Sequence, residues 1–122
     1  MKNIPLVLRG NLFRDNHLIV RNFNSKFYKI VFKSNYDNYD ANMLSSLKKI
    51  GSNIREIKFT DCIFISIEFF MNILRTFPEA KKVTFEGCFI PFTKYDEDFL
   101  DFPNLTDLVL KECYCEVNYD YN

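Results

Sequence analysis

One nine-residue pattern, present four times along the chain, constrains the fold more than any other feature. Apolar residues occupy its first, fourth and sixth positions, and asparagine or cysteine occupies the ninth. The copies are Phe27-x-x-Ile30-x-Phe32-x-x-Asn35, Ile54-x-x-Ile57-x-Phe59-x-x-Cys62, Ala80-x-x-Val83-x-Phe85-x-x-Cys88 and Leu105-x-x-Leu108-x-Leu110-x-x-Cys113. They begin 27, 26 and 25 residues apart. Such a regular period indicates a chain built from repeated structural units.

Each copy predicts one short strand with alternating apolar residues, and a single strand cannot bury such a row. Neighbouring strands that pair in parallel at about 4.8 Å would stack the sixth-position residues into one core column. The predicted column is Phe32, Phe59, Phe85 and Leu110. At the ninth position the chain leaves the strand, and a small inward Asn or Cys can hydrogen-bond to the backbone of the turn there.

The pattern resembles the L-x-x-L-x-L-x-x-N/C signature of leucine-rich repeats. The resemblance implies an α/β fold, a solenoid of about four to five repeats with a short curved parallel sheet on its concave side and helices and loops on its convex side. We expect one domain over 1–122. It divides into a partial repeat or N-terminal edge (1–26), four repeats (27–113) and a polar tail (114–122).

The segments between the copies predict how the chain returns. Ser66 to Phe77 has helical spacing of apolar residues and a serine suited to cap the helix, and Ala41 to Ile50 repeats this pattern. The acidic segment Pro91 to Phe102 predicts a loop with a short helix. Upstream, Leu6-x-Leu8-x-x-Asn11 matches the second half of a copy, with Leu6 placed 24 residues before Ile30.

The four cysteines favour packing over metal or disulfide chemistry. Three of them occupy the same repeat position, which is typical of a buried column and not of C-x-x-C metal pairs. Cys115 is predicted as a free thiol, with redox sensing or metal binding as the alternative. His17 has no neighbouring nucleophile or ligand pattern, so it is interpreted as an ordinary packing or surface residue. We predict no cofactor and no metal site.

Composition excludes several function classes. The 16 basic and 16 acidic residues balance, which disfavours nucleic-acid binding. The apolar start from Ile4 to Leu8 is shorter than a signal-peptide core of about 7 to 15 residues, and no run approaches the roughly 18 that span a bilayer. We therefore predict no membrane association and a cytoplasmic or nuclear location. The chain has three glycines and contains no phosphate-binding loop or nucleophile elbow, so no catalytic residue is predicted and an enzyme is disfavoured.

The repeats also resemble the cysteine-containing repeats of F-box proteins, through the ninth-position cysteines, the repeat length and the joints Phe77-Pro78-Glu79-Ala80 and Phe102-Pro103-Asn104-Leu105. This resemblance covers roughly 27–113. It implies a protein interaction module, the substrate-recognition part of an F-box-type ubiquitin-ligase receptor. Residues 1–26 show no F-box pattern, and Ala80 and the three phenylalanines at the sixth position replace the usual leucines. What carries over is the repeat scaffold and a substrate-binding role.

In such a scaffold the third, fifth and seventh residues of each copy point to the concave face and form the candidate site for a protein partner. They are Lys29, Val31, Lys33, Glu56, Lys58, Thr60, Lys82, Thr84, Glu86, Asp107, Val109 and Lys111. Their alternating charges are equally consistent with a solvated face of mutual ion pairs. A second hypothesis is a stand-alone or self-assembling structural protein that associates through uncapped ends, because solenoids need caps to be stable and soluble. Whether the chain is part of a longer F-box protein stays open, as does the identity of the partner.

Overall fold

A computed structural model of the chain describes residues 5–9, 27–34, 45, 47–48, 53–64, 67–90 and 102–115, with only the backbone described for Phe69 and Cys115. Within these ranges seven strands and one helix have described bounds. They are β1 (Leu6–Arg9), β2 (Lys29–Lys33), β3 (Glu56–Thr60), α1 (Ile67–Thr76), β4 (Lys82–Glu86), β5 (Phe89–Ile90), β6 (Asp107–Lys111) and β7 (Tyr114–Cys115).

Five strands form one open parallel sheet in the order β1-β2-β3-β4-β6. The register repeats from strand to strand, since each residue pairs with its counterpart in the next copy of the nine-residue pattern. Leu6 pairs with Ile30 and Leu8 with Phe32, which is the alignment that the sequence predicts for this strand. The predicted α/β class and parallel pairing are therefore confirmed. Beside this sheet, β5 and β7 form a two-stranded parallel sheet.

The core contains the predicted column of sixth-position residues, extended at one end by Leu8. Phe32 and Phe59 stack with ring centroids 5.1 Å apart, and Phe59 and Phe85 stack at 4.9 Å. All three phenylalanine side chains are fully buried. Since stacked strands lie about 4.8 Å apart, phenylalanine in this position places each ring at stacking distance from the next.

Helix α1 covers one side of this column. Its apolar residues follow at helical spacing, and Phe70, Met71 and Leu74 are buried. The ring of Phe70 meets Phe59 and Phe85 edge-on, at 5.8 and 5.1 Å between centroids. The helix predicted over 66–77 is thus confirmed at Ile67–Thr76, although the proposed cap at Ser66 lies outside the described residues.

A left-handed residue follows each of the strands β2, β3, β4 and β6. At the eighth position of every copy φ is positive: 57° at Ser34, 55° at Asp61, 67° at Gly87 and 51° at Glu112. This conformation turns the chain out of the strand, and after β3, β4 and β6 the ninth-position cysteine packs into or against the core. It costs a residue with a β-carbon about 1–2 kcal/mol, so the turn is imposed by the packing at most of these positions.

The two proline-containing joints have the same geometry. The amide of Ala80 donates to the carbonyl of Phe77 at 3.1 Å, and the amide of Leu105 donates to that of Phe102 at 3.0 Å. The Asn104 side chain also donates to the Pro78 carbonyl at 3.1 Å. Equal joints before β4 and β6 deliver both strands into the sheet in the same way.

Other sequence predictions lie mostly outside the described residues. Of the helix predicted over 41–50, Ser45, Leu47 and Lys48 are described as helical, and Leu47 is fully buried. The segment 91–101, most of residues 1–26 with His17, and the tail beyond Cys115 are not described.

Burial differs between the two ends of the sheet. Leu6 and Leu8 on β1 are buried, whereas Leu108 and Leu110 at the corresponding positions of β6 are half-buried. Leu105 and Cys113 beside β6 are half-buried as well.

Candidate functional site

The candidate site is one face of the five-stranded sheet, on the side opposite helix α1. We call this face of the sheet the polar face. All twelve predicted site residues lie on it, because they alternate along each strand with the core residues. The register arranges them in three rows. These are Lys29, Glu56, Lys82 and Asp107; then Val31, Lys58, Thr84 and Val109; then Lys33, Thr60, Glu86 and Lys111.

The first row contains the alternating charges that the sequence predicts, but they do not all pair. Lys29 Nζ lies 3.9 Å from a carboxylate oxygen of Glu56. Among the described residues, Lys82 forms no ion pair with the carboxylates on either side of it. The side chains of Lys82 and Asp107 are both exposed. These two charges are therefore available to another molecule.

A second ion pair crosses between rows. Lys58 Nζ lies 3.0 Å from Glu86 Oε1, joining the middle of β3 to the end of β4. The hydrogen bond and charge of Lys58 lower the pKa of the Glu86 carboxyl, and the charge of Lys111 adds to this effect. Glu86, one of the twelve predicted contact residues, is thus engaged within the chain. Alternation along a strand predicts pairs within one row, so it missed this diagonal contact.

Burial also varies across the face. Thr84 in the middle row is nearly buried, with 9% of its surface exposed, because it lies between two neighbouring strands and two charged residues of its own strand. Thr84 therefore packs within the face and leaves little surface for a partner to contact. The exposed charges are at the margins, at Lys82, Asp107 and Lys111.

The structure adds two residues to the face that the sequence reasoning did not name. Val7 pairs in register with Val31, and Arg9 pairs with Lys33. They extend the middle and third rows onto β1. Continuing the alternation of the partial copy by one residue on each side of Leu8 would have found them.

The thiols form a separate column on the core side, and they bind backbone carbonyls as predicted. Cys62 Sγ lies 3.3 Å from the Phe32 carbonyl oxygen and 3.4 Å from the Thr60 carbonyl oxygen, so its single S–H is shared between these two acceptors. Cys88 and Cys113 repeat these two contacts one and two strands further along, at 3.4–3.5 Å. Each thiol therefore ties a strand to its predecessor.

The electrostatics of this column favour neutral thiols. Hydrogen bonding with Cys62 and burial raise the pKa of Cys88, and burial raises the pKa of Cys113. All three described cysteine side chains are free of disulfides. In the described ranges no group of three or more His, Cys, Asp or Glu residues is placed to hold a metal ion. For Cys115 the backbone pairs with Ile90 and the side chain is not described.

No helix in the described part of the chain is both long and apolar enough to span a membrane. Comparison with known proteins gives no family assignment, since no family model, curated protein or solved structure matches the chain significantly.

Proposed function

We propose that the chain is a leucine-rich-repeat solenoid of about four to five repeats with the polar face on its concave side. Three regular features support this proposal. The strands of the five-stranded sheet keep one parallel register, β2, β3, β4 and β6 are each followed by a left-handed eighth residue, and the thiols of Cys62, Cys88 and Cys113 make the same carbonyl contacts. Repetition of backbone, core and turn together is typical of stacked repeats.

The proposed function is non-enzymatic protein binding on the polar face, as the substrate-recognition part of an F-box-type ubiquitin-ligase receptor in the cytoplasm or nucleus. The observation that carries it is the set of exposed charges on a broad, regularly spaced strand surface, with Lys82 and Asp107 outside the ion pairs of the described residues. Charges of both signs at fixed spacing favour a partner of complementary pattern. The specificity would lie in that pattern and not in a portable motif.

A charge reversal on the face tests this function. Lys82→Glu changes an exposed charge of the polar face, and Lys81→Glu makes the same change one residue earlier, at an exposed position before β4. Both variants should retain the far-ultraviolet circular dichroism of the wild type. We expect a protein captured by the wild type and by Lys81→Glu to be retained roughly tenfold less by Lys82→Glu, as measured by quantitative mass spectrometry. Equal retention of every captured protein by the two variants would refute the assignment of the face.

The F-box part of the proposal has its own test. Mapping the 5′ end of the transcript would show whether an in-frame F-box is encoded upstream of Met1 or whether translation begins at Met1. An in-frame F-box would support the ubiquitin-ligase receptor. A start at Met1 would contradict that role and leave the polar-face binding to be judged by the charge reversal alone.

The second candidate function is a structural protein that associates with copies of itself. It is favoured by the half-buried core residues at β6, Leu105, Leu108 and Leu110. Apolar residues at the end of a stack of strands are normally covered by a capping element or a partner. Sedimentation velocity would count against this function if the protein stayed monomeric at tens of micromolar.

A further inference from the structure

Strand β6 is the last strand of the five-stranded sheet in the described part of the chain. It pairs with β4 on one side, and no described strand pairs with its other side. The core side chains of this strand, Leu108 and Leu110, are half-buried, and Tyr114 just beyond is 73% exposed. An edge strand with apolar residues beside it is a template for pairing with another chain.

The backbone direction of β6 can be read from its hydrogen bonds to β4. The Asp107 amide donates to the Lys81 carbonyl at 3.0 Å, and the Lys111 carbonyl accepts from the Gly87 amide at 3.0 Å. Residues 107, 109 and 111 therefore turn their amides and carbonyls toward β4. The backbone groups of Leu108 and Leu110, which alternate with them, point to the outer edge.

The order of side chains along β6 is self-complementary. The strand reads Asp-Leu-Val-Leu-Lys, so its first and last residues have opposite charge, its second and fourth are both leucine, and valine lies at the centre. An antiparallel copy of this strand, related by a two-fold axis at Val109, would face each Asp107 with a Lys111 and each Leu108 with a Leu110. The outward backbone groups of the two leucines would then exchange amide–carbonyl hydrogen bonds as a bonded pair.

We infer that two copies of this chain associate through β6 in this antiparallel arrangement, forming one continuous sheet across a two-fold interface. The axis is perpendicular to the sheet, so the half-buried leucines of both copies lie on the same side and continue one core. The charged pairs lie at non-hydrogen-bonded positions, where side chains on opposite strands are closest. Two-fold symmetry closes the assembly at a dimer.

The competing arrangement is head-to-tail. If β6 of one copy paired in parallel with β1 of the next in the register of the existing sheet, Lys111 would lie beside Arg9. The sheet already holds Arg9 beside Lys33 in this geometry, so a like-charge contact does not exclude the arrangement. The antiparallel arrangement is preferred because it sets opposite charges against each other at both ends of β6. The inference thus rests on the second candidate function and specifies its interface, and it does not depend on partner binding at the polar face.

Two charge reversals and their mixture test the dimer by sedimentation velocity under reducing conditions. Asp107→Lys leaves lysine at both ends of β6, and Lys111→Asp leaves aspartate at both ends. Each variant alone should dimerise about ten- to a hundredfold more weakly than the wild type, because two attractive pairs become repulsive. An equimolar mixture should dimerise as well as the wild type, since every cross-strand pair is then opposite in charge. The same two chains control for folding, because a misfolded variant could not restore the dimer.

The outcomes separate the alternatives. A wild type that stays monomeric at tens of micromolar would overturn the inference, as it would the second candidate function on which the inference rests. Variants that dimerise like the wild type, or a mixture that does not, would also overturn it. Stronger association by Lys111→Asp alone would indicate the head-to-tail arrangement, in which this change removes the repulsion by Arg9. None of these outcomes bears on Lys82, so failure of the dimer and failure of polar-face binding can be told apart.

A cross-link locates the axis. Val109→Cys would place two thiols at a non-hydrogen-bonded pair with α-carbons about 4.5 Å apart, within the range for a disulfide. Mild oxidation should give a covalent dimer linked through position 109, identified by peptide mass spectrometry, and the wild type treated in the same way controls for its native thiols. Absence of this cross-link in a variant that still dimerises would refute the antiparallel register.

Discussion

Replacement of Phe59 by leucine should destabilise the protein far more than the same replacement at another buried phenylalanine. Phe59 stacks on Phe32 and Phe85 and meets Phe64 and Phe70 edge-on, with centroid distances from 4.9 to 5.8 Å. Phe77 is equally buried, with 1% exposure against 0%. Among the described residues Phe77 makes no ring contact. Phe77→Leu is therefore the matched control for loss of size without loss of stacking.

The difference between the two variants can be estimated from the number of ring contacts. A swap between apolar residues of similar size costs under about 1.5 kcal/mol, which is the expectation for Phe77→Leu. Each aromatic pair adds about 0.5–1.5 kcal/mol, and non-additivity among touching residues reduces their sum. We expect Phe59→Leu to lower the free energy of unfolding by about 3 kcal/mol in all. For 122 residues this corresponds to a fall in Tm of about 12 °C, against about 4 °C for Phe77→Leu.

Urea unfolding followed by circular dichroism would measure both variants, with the slope of the transition compared to check that the unfolded states match. The total stability expected for a chain of this size, about 6–18 kcal/mol, leaves both variants folded. If the two losses agreed within about 0.5 kcal/mol, the aromatic stack would contribute nothing beyond buried area, and the reasoning would be refuted.

Two further predictions concern the strand ends and the thiols. Gly87→Ala should lower the free energy of unfolding by about 1–2 kcal/mol because of the positive φ, and its β-carbon would lie 2.7 Å from a neighbouring aspartate oxygen. Glu112→Gly at the equivalent position should raise it by up to about 1 kcal/mol, and a shift of the urea midpoint in the wrong direction for either variant would contradict this account. The raised pKa values of Cys88 and Cys113 contribute stability at low pH that is lost as pH rises above about 8.5, where unfolded thiols ionise. Cys88→Ala should therefore weaken the alkaline loss of stability, and in the native protein at pH 9 iodoacetamide should label Cys113 faster than the buried Cys88; equal labelling would contradict the burial.

The strands, their parallel order and the core column could be predicted because the spacing of apolar residues along the sequence indicates which side chains are buried. Phe32, Phe59 and Phe85 recur at one position of the pattern, and stacking follows from equal spacing along parallel strands. Helix α1 was predictable for the same reason, since its apolar stripe has a helical period.

Two features could not be predicted. One is the backbone conformation at the strand ends, and the other is the contact of a long side chain with a residue in a neighbouring row of the polar face. Ser34 and Glu112 are not residue types that signal a left-handed conformation, whereas Gly87 and, more weakly, Asp61 are. The pair between Lys58 and Glu86 depends on a long side chain crossing diagonally, which alternation along a strand does not contain.

The uniform register of the sheet has a consequence for the length of the protein. Because β2, β3, β4 and β6 meet one another without a shift in register, residues 62–87 could be deleted, or duplicated in tandem, and the new junction would still join an eighth position to a ninth. We expect such shortened or lengthened chains to fold, with stability changing in steps of one unit and one interface. We expect the remaining strands to keep their register whether this segment is removed or repeated.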